Sequence, residues 1–212
     1  MNKTEFSARI RQEVLAQHYR DKGELLIPVT VSNRHVHLDE AASEALFGPG
    51  YRFTPKKDLV QLGQFACEET ITIRGPKRAI EKVRVLGPLR PFTQAELSVT
   101  DCRMLGIAPT LRLSGDIDGS PELTLTGPRG SYVIRQGAIV AARHLHVPLS
   151  LADVFGLQNG QLVTLSTEGE RPADLRGIIV RVSEGALLEA HVDTDEANAT
   201  GIRDDMLLKL TK

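Results

Sequence analysis

The chain has 212 residues, of which 26 are Lys or Arg and 27 are Asp or Glu, for a formal net charge of −1. The basic residues are scattered and barely interleaved with aromatics, which argues against nucleic acid as the main partner. The charged start Met1-Asn2-Lys3-Thr4-Glu5 leads into no apolar run, and Cys67 and Cys102 lack any paired spacing. The expectation is therefore no membrane span, a cytoplasmic, reducing setting, and two buried free thiols.

A chain of this length can form one large domain or two small intertwined ones. Residues 5–20 carry Phe6, Ile10 and Val14 at spacings of four, with Leu15 beside the last and Arg9, Arg11, Gln12 and Glu13 between. This predicts an amphipathic helix ended by Asp21-Lys22-Gly23, so that residues 1–22 form an N-terminal extension. Its apolar stripe either packs on the body of the protein or docks onto another protein.

From Leu25 the texture changes to short strands. Ile27 to Val31 leads into Arg34-His35-Val36-His37, and Asp39 to Phe47 predicts a short helix closed by Gly48 in a left-handed position. Ile71-Thr-Ile-Arg-Gly-Pro-Lys77 is a strand entering a Gly-Pro turn, and it recurs as Leu123-Thr-Leu-Thr-Gly-Pro-Arg129. Gln94, Glu96 and Ser98 alternate with Ala95 and Leu97 on another strand. A helix from Ser98 to Leu105, stopped by Gly106, precedes an extended stretch over 107–113. After a second phrase, Arg143-His144-Leu145-His146, Ser150 and Asp153 have capping-box spacing at the start of a helix stopped by Gly156. Strands at 161–165 and 188–193 follow, the latter carrying His191.

Many short strands with turn signals and few long helices predict a mainly β protein: two small intertwined β-barrels capped by short α-helices. The first barrel region is expected over 24–137 and the second over 138–212, with the 24–34 strand shared with the second.

The doubled phrase carries the chemistry. In a strand the side chains at i and i+2 point to one side, about 6–7 Å apart at the backbone, so each His-x-His can direct two imidazoles at one metal. Val36 and Leu145 then face the core. Five of the six histidines lie on strands, leaving only His18 outside. Glu96 could add an oxygen ligand, although its local pattern alone reads as a solvated strand glutamate. Arg90 stands between Pro88 and Pro91, which fixes its backbone, as recognition of phosphate or carboxylate requires; structural ion pairing is the competing reading. Nucleotide-binding glycine loops, a Gly-x-Ser-x-Gly elbow and a His-Glu-x-x-His helix are all missing. What remains is a metal-dependent transferase, a hydrolase of small thioesters, or a metal-stabilised β-barrel binding module. Two closed four-ligand cages would need more ligands than five histidines and a glutamate supply, which favours open, catalytic centres.

In linear order the chain resembles the phosphate propanoyltransferases, the PduL-type phosphate acyltransferases. The matching stretches are Val31-Ser-Asn-Arg-His-Val-His-Leu38, Lys57-Asp-Leu, Gly63-Gln-Phe-Ala66, Glu68-Glu-Thr70, Gly75-Pro-Lys77, Arg84-Val-Leu-Gly-Pro-Leu-Arg90, Ser114-Gly-Asp116, Arg143-His-Leu-His146 and His191-Val-Asp-Thr-Asp-Glu-Ala-Asn198. The resemblance implies two β-barrels and a reversible reaction of acyl-CoA and phosphate to acyl phosphate and free CoA at a two-zinc site. His35, His37 and Glu96 would hold one zinc, and His144, His146 and His191 the other. Arg90 would stand near phosphate, and Ser32, Lys57, Arg84, Leu86 and Asn198 would line the CoA and phosphate pocket. A homodimer is implied as well. So is a role for residues 1–20 in directing the enzyme to the shell protein of a bacterial microcompartment. Leu62 stands where many relatives have Pro, and Val147-Pro148 replaces the more usual Met-Ser beside the second His-x-His.

Overall fold

The computed structural model describes residues 2–212. In chain order the elements begin with α1 (Lys3–Lys22), β1 (Leu26–Ser32), β2 (His35–His37), α2 (Glu40–Phe47), β3 (Pro55–Asp58), β4 (Phe65–Arg74) and β5 (Ala79–Gly87). They continue with β6 (Gln94–Leu97), α3 (Val99–Leu105), β7 (Leu111–Arg112), β8 (Leu123–Thr126), β9 (Ser131–Ile134) and β10 (Ala138–Ala141). The last are β11 (His144–Pro148), α4 (Leu149–Phe155), β12 (Leu162–Thr167), β13 (Ala173–Ser183), β14 (Glu189–Asp193), α5 (Thr194–Thr200) and β15 (Leu207–Thr211). The chain is mainly β, as its strand-rich texture predicts, and divides into two compact units.

One unit comprises the chain up to Ser32, Val60–Leu62 and Ala142–Lys212. Its six strands close into a barrel in the order β1, β14, β11, β13, β12, β15. The first strand of the chain is thus built into a barrel made otherwise from the last third of the sequence: β1 runs parallel to β14 and antiparallel to β15. Alternate residues fill the interior, among them Ile27, Val29, Leu145, Val147, Leu165, Ile178 and Leu208.

Helix α1 packs on this barrel, but through a different face from the one its sequence pattern suggests. Phe6, Ile10 and Val14 are 51%, 49% and 61% exposed, whereas Leu15 is 5% exposed. The buried face is Ala8, Gln12, Leu15 and Ala16, with Tyr19 meeting Phe155 of α4 edge-on at 5.5 Å. Two alanines let the helix backbone come close, and the Gln12 side chain accepts a hydrogen bond from the Leu188 N–H at 3.4 Å, so the larger apolar residues are left on the outside.

The other unit comprises Asn33–Leu59 and Gly63–Ala141. It is a nine-stranded half-barrel sheet in the order β7, β10, β6, β2, β5, β4, β8, β9, with β3 added beside β4. The repeated Gly-Pro-basic turn has a packing reason here. The Lys77 N–H donates to the Leu105 carbonyl at the end of α3, and the Arg129 N–H donates to the Leu46 carbonyl in the last turn of α2. A Cβ at Gly75 or Gly127 would overlap those same carbonyls, so each turn needs glycine to lie against a helix end. The two repeats also pair with one another, Ile73 opposite Leu125.

Three local expectations need correction. The stretch 107–113 yields only the two-residue β7, because Pro109 offers no N–H to a ladder. Helix α4 starts at Leu149 with Pro148 as N-cap and no side-chain cap, which places Ser150 inside the helix. Gly48 has a positive φ of 104° but ψ of 159°, an extended conformation and not the left-handed helical one. The capping box does occur elsewhere, at Ser98 with Asp101 and at Asp193 with Glu196. Cys67 and Cys102 are buried thiols that form no disulfide among the described residues. Among the described residues no helix is long and apolar enough to cross a membrane.

Candidate functional site

Each His-x-His lies on a short strand whose middle residue is wholly buried, Val36 in β2 and Leu145 in β11. The rings on either side therefore share one face, with centroids 5.0 Å apart for His35 and His37 and 4.8 Å for His144 and His146. The neighbouring antiparallel strand supplies a third group in the same register both times. Glu96 on β6 stands opposite His35, and His191 on β14 stands opposite His144. Nitrogen and oxygen ligand atoms of His35, His37 and Glu96 lie within 4.8 Å of one another, as do those of His144, His146 and His191. Glu96 is not the solvated glutamate that its local pattern suggested; it is buried at the foot of the first cluster.

Both clusters are oriented from behind. His35 Nδ1 faces the Asn33 carbonyl at 2.8 Å and His144 Nδ1 faces the Ala142 carbonyl at 2.9 Å, so in each ring Nδ1 carries a proton and Nε2 is directed into the cluster. Glu96 spans the first pair, 3.6 Å from His35 Nε2 and 3.8 Å from His37 Nε2. His144 Nε2 lies 3.2 Å from His146 Nε2, and the His144 and His191 rings stack in parallel at 5.0 Å. His37 Nδ1 is buried without a hydrogen-bond partner among the described residues. Lone pairs crowded together fit a divalent ion: neutral imidazoles and one carboxylate are the donor set of zinc, and three ligands leave a position open.

The electrostatics keep His37 and His146 neutral and Glu96 ionised, whereas His35 is drawn toward its protonated form by the carboxylate beside it. Burial, together with the charges of His35 and Arg90, holds His37 well below the usual imidazole range. Burial, with the charges of His191 and His144, pushes His146 down to about 3. Burial also opposes charge on His35, but the Glu96 carboxylate outweighs it and pushes His35 up. Glu96 is held below the ordinary carboxylate range: burial works against its charge, but His35, His37 and the Ser114 hydroxyl favour it.

Arg90 belongs to the first cluster. Its guanidinium donates to Ser114 Oγ at 3.2 Å and lies 3.5 Å from Gln64 Oε1, while its backbone N–H is held by the Leu38 carbonyl. Ser114 Oγ donates in turn to Glu96 at 2.7 Å. Arg84 donates to the carbonyls of Cys67 and Glu68, Leu86 stands opposite His37 in the β2–β5 ladder, and Lys57 is exposed on β3. In the closed-barrel unit Ser32 Oγ lies 3.3 Å from His191 Nδ1, and Asn198 sits exposed on α5. Three residues that the sequence reading did not place at the site stand inside these clusters: Ser114, Gln94 and Glu189. The last two precede the third ligand by two positions on its own strand, a signal that strand periodicity could have supplied.

A family model for phosphate propanoyltransferase matches residues 28–203. The chain belongs to this family. The phosphate propanoyltransferase of Rhodobacter capsulatus is 46% identical over 206 residues, covering 96% of each chain. That of Priestia megaterium is 48% identical over 199 residues, 94% of this chain and 92% of the relative. That of Rhodopseudomonas palustris is 47% identical over 186 residues, 88% of this chain and 82% of the relative. Membership of the phosphate propanoyltransferase family makes the chain a phosphate acyltransferase.

Proposed function

We propose that the chain interconverts a short-chain acyl-CoA plus phosphate with an acyl phosphate plus CoA, by direct displacement and with zinc at both His-x-His centres. The observation that carries this reading is the pair of three-ligand clusters, one of them tied through Ser114 to the guanidinium of Arg90. His35, His37 and Glu96 would hold one ion and His144, His146 and His191 the other. Zinc, when bound, supplies Lewis acidity toward a carbonyl oxygen or a departing thiolate.

The protein's own part is placement. Arg90 offers a planar fork that grips two phosphate oxygens and turns a third toward the thioester carbon. That oxygen forms the new O–C bond as the C–S bond breaks, and CoA leaves as its thiolate. Ser32, Lys57, Arg84, Leu86 and Asn198 would line the surroundings of phosphate and CoA. No side chain needs to carry the acyl group. Relatives are named for propanoyl transfer, but acetyl and propanoyl differ by one methylene, worth about 1–3 kcal/mol of discrimination.

The experiment is metal content measured together with acyl phosphate formation from a panel of acyl-CoAs. Zinc at one to two ions per chain and phosphate-dependent CoA release are expected. Full activity after exhaustive chelation would sink the zinc reading, and CoA release without phosphate would indicate a hydrolase. Exchange of labelled CoA into acyl-CoA in the absence of phosphate would refute direct displacement.

We propose further that the outward stripe of Phe6, Ile10 and Val14 docks onto the shell protein of a bacterial microcompartment. The support is that α1 keeps this stripe exposed although another face of the same helix is buried.

A further inference from the structure

Gln94 and Glu189 occupy the same place in the two clusters. In the β2–β6 pair Gln94 stands opposite His37, and in the β11–β14 pair Glu189 stands opposite His146. Each precedes the third ligand by two residues and shares its face of the strand. Each also touches that ligand, Gln94 Nε2 donating to Glu96 Oε1 at 2.7 Å and Glu189 Oε2 lying 3.0 Å from His191 Nε2. The two four-residue sets, His35, His37, Glu96 with Gln94 and His144, His146, His191 with Glu189, therefore contain one carboxylate apiece. Acid and neutral residue have exchanged positions.

Glu189 is built in firmly. It is 2% exposed and accepts hydrogen bonds from Thr30 Oγ1 and, at 3.1 Å, from Gln61 Nε2. Gln61 is itself pinned by both backbone groups of Leu187. Among the described residues the one ion-pair partner of Glu189 is His191, and no Lys or Arg neutralises it. A buried carboxylate is tolerated only when hydrogen-bonded or paired, and Thr30, Gln61 and His191 hold this charge in place beside the cluster, where a cation would meet it.

We propose that Glu189 is the acidic member of the His144, His146 and His191 centre, fixing the His191 ring and supplying the negative charge that retains a divalent cation there. The proposal rests on reading this cluster as a metal centre. Its test is zinc affinity of the metal-depleted full chain, measured by competition with a chromophoric chelator, alongside the unfolding temperature of the same metal-free protein. Wild type should take up two ions. Glu189→Gln keeps the shape, and its one amide oxygen can still accept from Gln61 while its amide N–H donates to the Thr30 hydroxyl, so the metal-free unfolding temperature should hold while one of the two ions is bound about 10- to 100-fold more weakly. Glu189→Asp, which keeps the charge, should lose less affinity than Glu189→Gln. Two ions bound as tightly by Glu189→Gln as by wild type would overturn the proposal, as would equal weakening at both centres or a metal-free variant that no longer folds. Wild-type protein that binds no zinc would overturn instead the metal reading on which the proposal stands.

Discussion

Arg90 reaches the Glu96 carboxylate through a single hydroxyl. Ser114 Oγ gives its one proton to Glu96 Oε1 at 2.7 Å and accepts from the Arg90 guanidinium at 3.2 Å and from Gln94 Nε2 at 3.1 Å. Those three bonds exhaust what a hydroxyl can make. A candidate metal ligand and a candidate phosphate clamp are thereby held to one geometry.

Removing that hydroxyl should disturb both partners together. In Ser114→Ala, Glu96 loses a buried donor and Arg90 loses an anchor, at about 1–2 kcal/mol for a hydrogen bond with a charged partner. The expected result is zinc held roughly 5- to 30-fold more weakly at the first centre, with a raised phosphate KM and an unchanged acyl-CoA KM. Loss of metal affinity with phosphate use untouched would show that Ser114 serves Glu96 alone.

Arg90→Lys tests the clamp itself. A lysine keeps the charge but cannot hold two oxygens in one plane, and loss of a charged hydrogen bond at the transition state costs about 2–4 kcal/mol. Zinc content and acyl-CoA affinity should be preserved while kcat/KM for phosphate falls on the order of 30- to 1,000-fold. Turnover near wild type with unchanged phosphate dependence would make Arg90 a structural residue.

The clusters were legible because strand periodicity is short-ranged: the His-x-His phrases and the buried Val36 and Leu145 follow from i to i+2 alternation. Glu96 was harder. Its burial comes from β2 lying across from it, a long-range pairing that no local pattern records. The same holds for Ser114, brought to Glu96 from a loop 18 positions away. The orientation of Phe6, Ile10 and Val14 stayed open between packing and docking because hydrophobic spacing identifies an apolar face but not which face finds a partner; burial of Ala8, Leu15 and Ala16 turns the stripe outward.

The metal-free protein should lose stability in acid. An unfolded histidine takes a proton near 6.5, whereas folded His146 resists to about 3 and His37 also stays well below its usual range. Between those limits the unfolded chain binds more protons, so stability rises with pH across the window from about 3 to 6.5. Glu96, held low when folded, adds the same sign below about 4.5; His35, pushed up, opposes it nearer neutrality. Thermal unfolding of chelator-treated protein from pH 8 to pH 4 should fall toward acid, and His146→Ala should flatten the slope. Added zinc should stabilise most at the upper end, since its ligands must be deprotonated. A slope unchanged in His146→Ala would show that His146 is not buried neutral.

Helix α1 offers a separation of folding from docking, since its two faces have different neighbours. Leu15 is 5% exposed and belongs to the same buried apolar cluster as the barrel interior, so Leu15→Ala should destabilise by about 2–5 kcal/mol. Val14 is one residue away but 61% exposed, and Val14→Ser should stay within about 0.5 kcal/mol. Association with a shell protein should respond in the opposite order. The combined change Phe6→Ser, Ile10→Ser and Val14→Ser should abolish recruitment while leaving turnover and unfolding temperature near wild type. In a fusion of residues 1–20 to a soluble reporter, where no barrel is present, Leu15→Ala should recruit more strongly than the triple variant. Recruitment equal for the triple variant and the unaltered segment would leave the stripe without a docking role, and α1 would then be a packing helix whose outer residues simply face water.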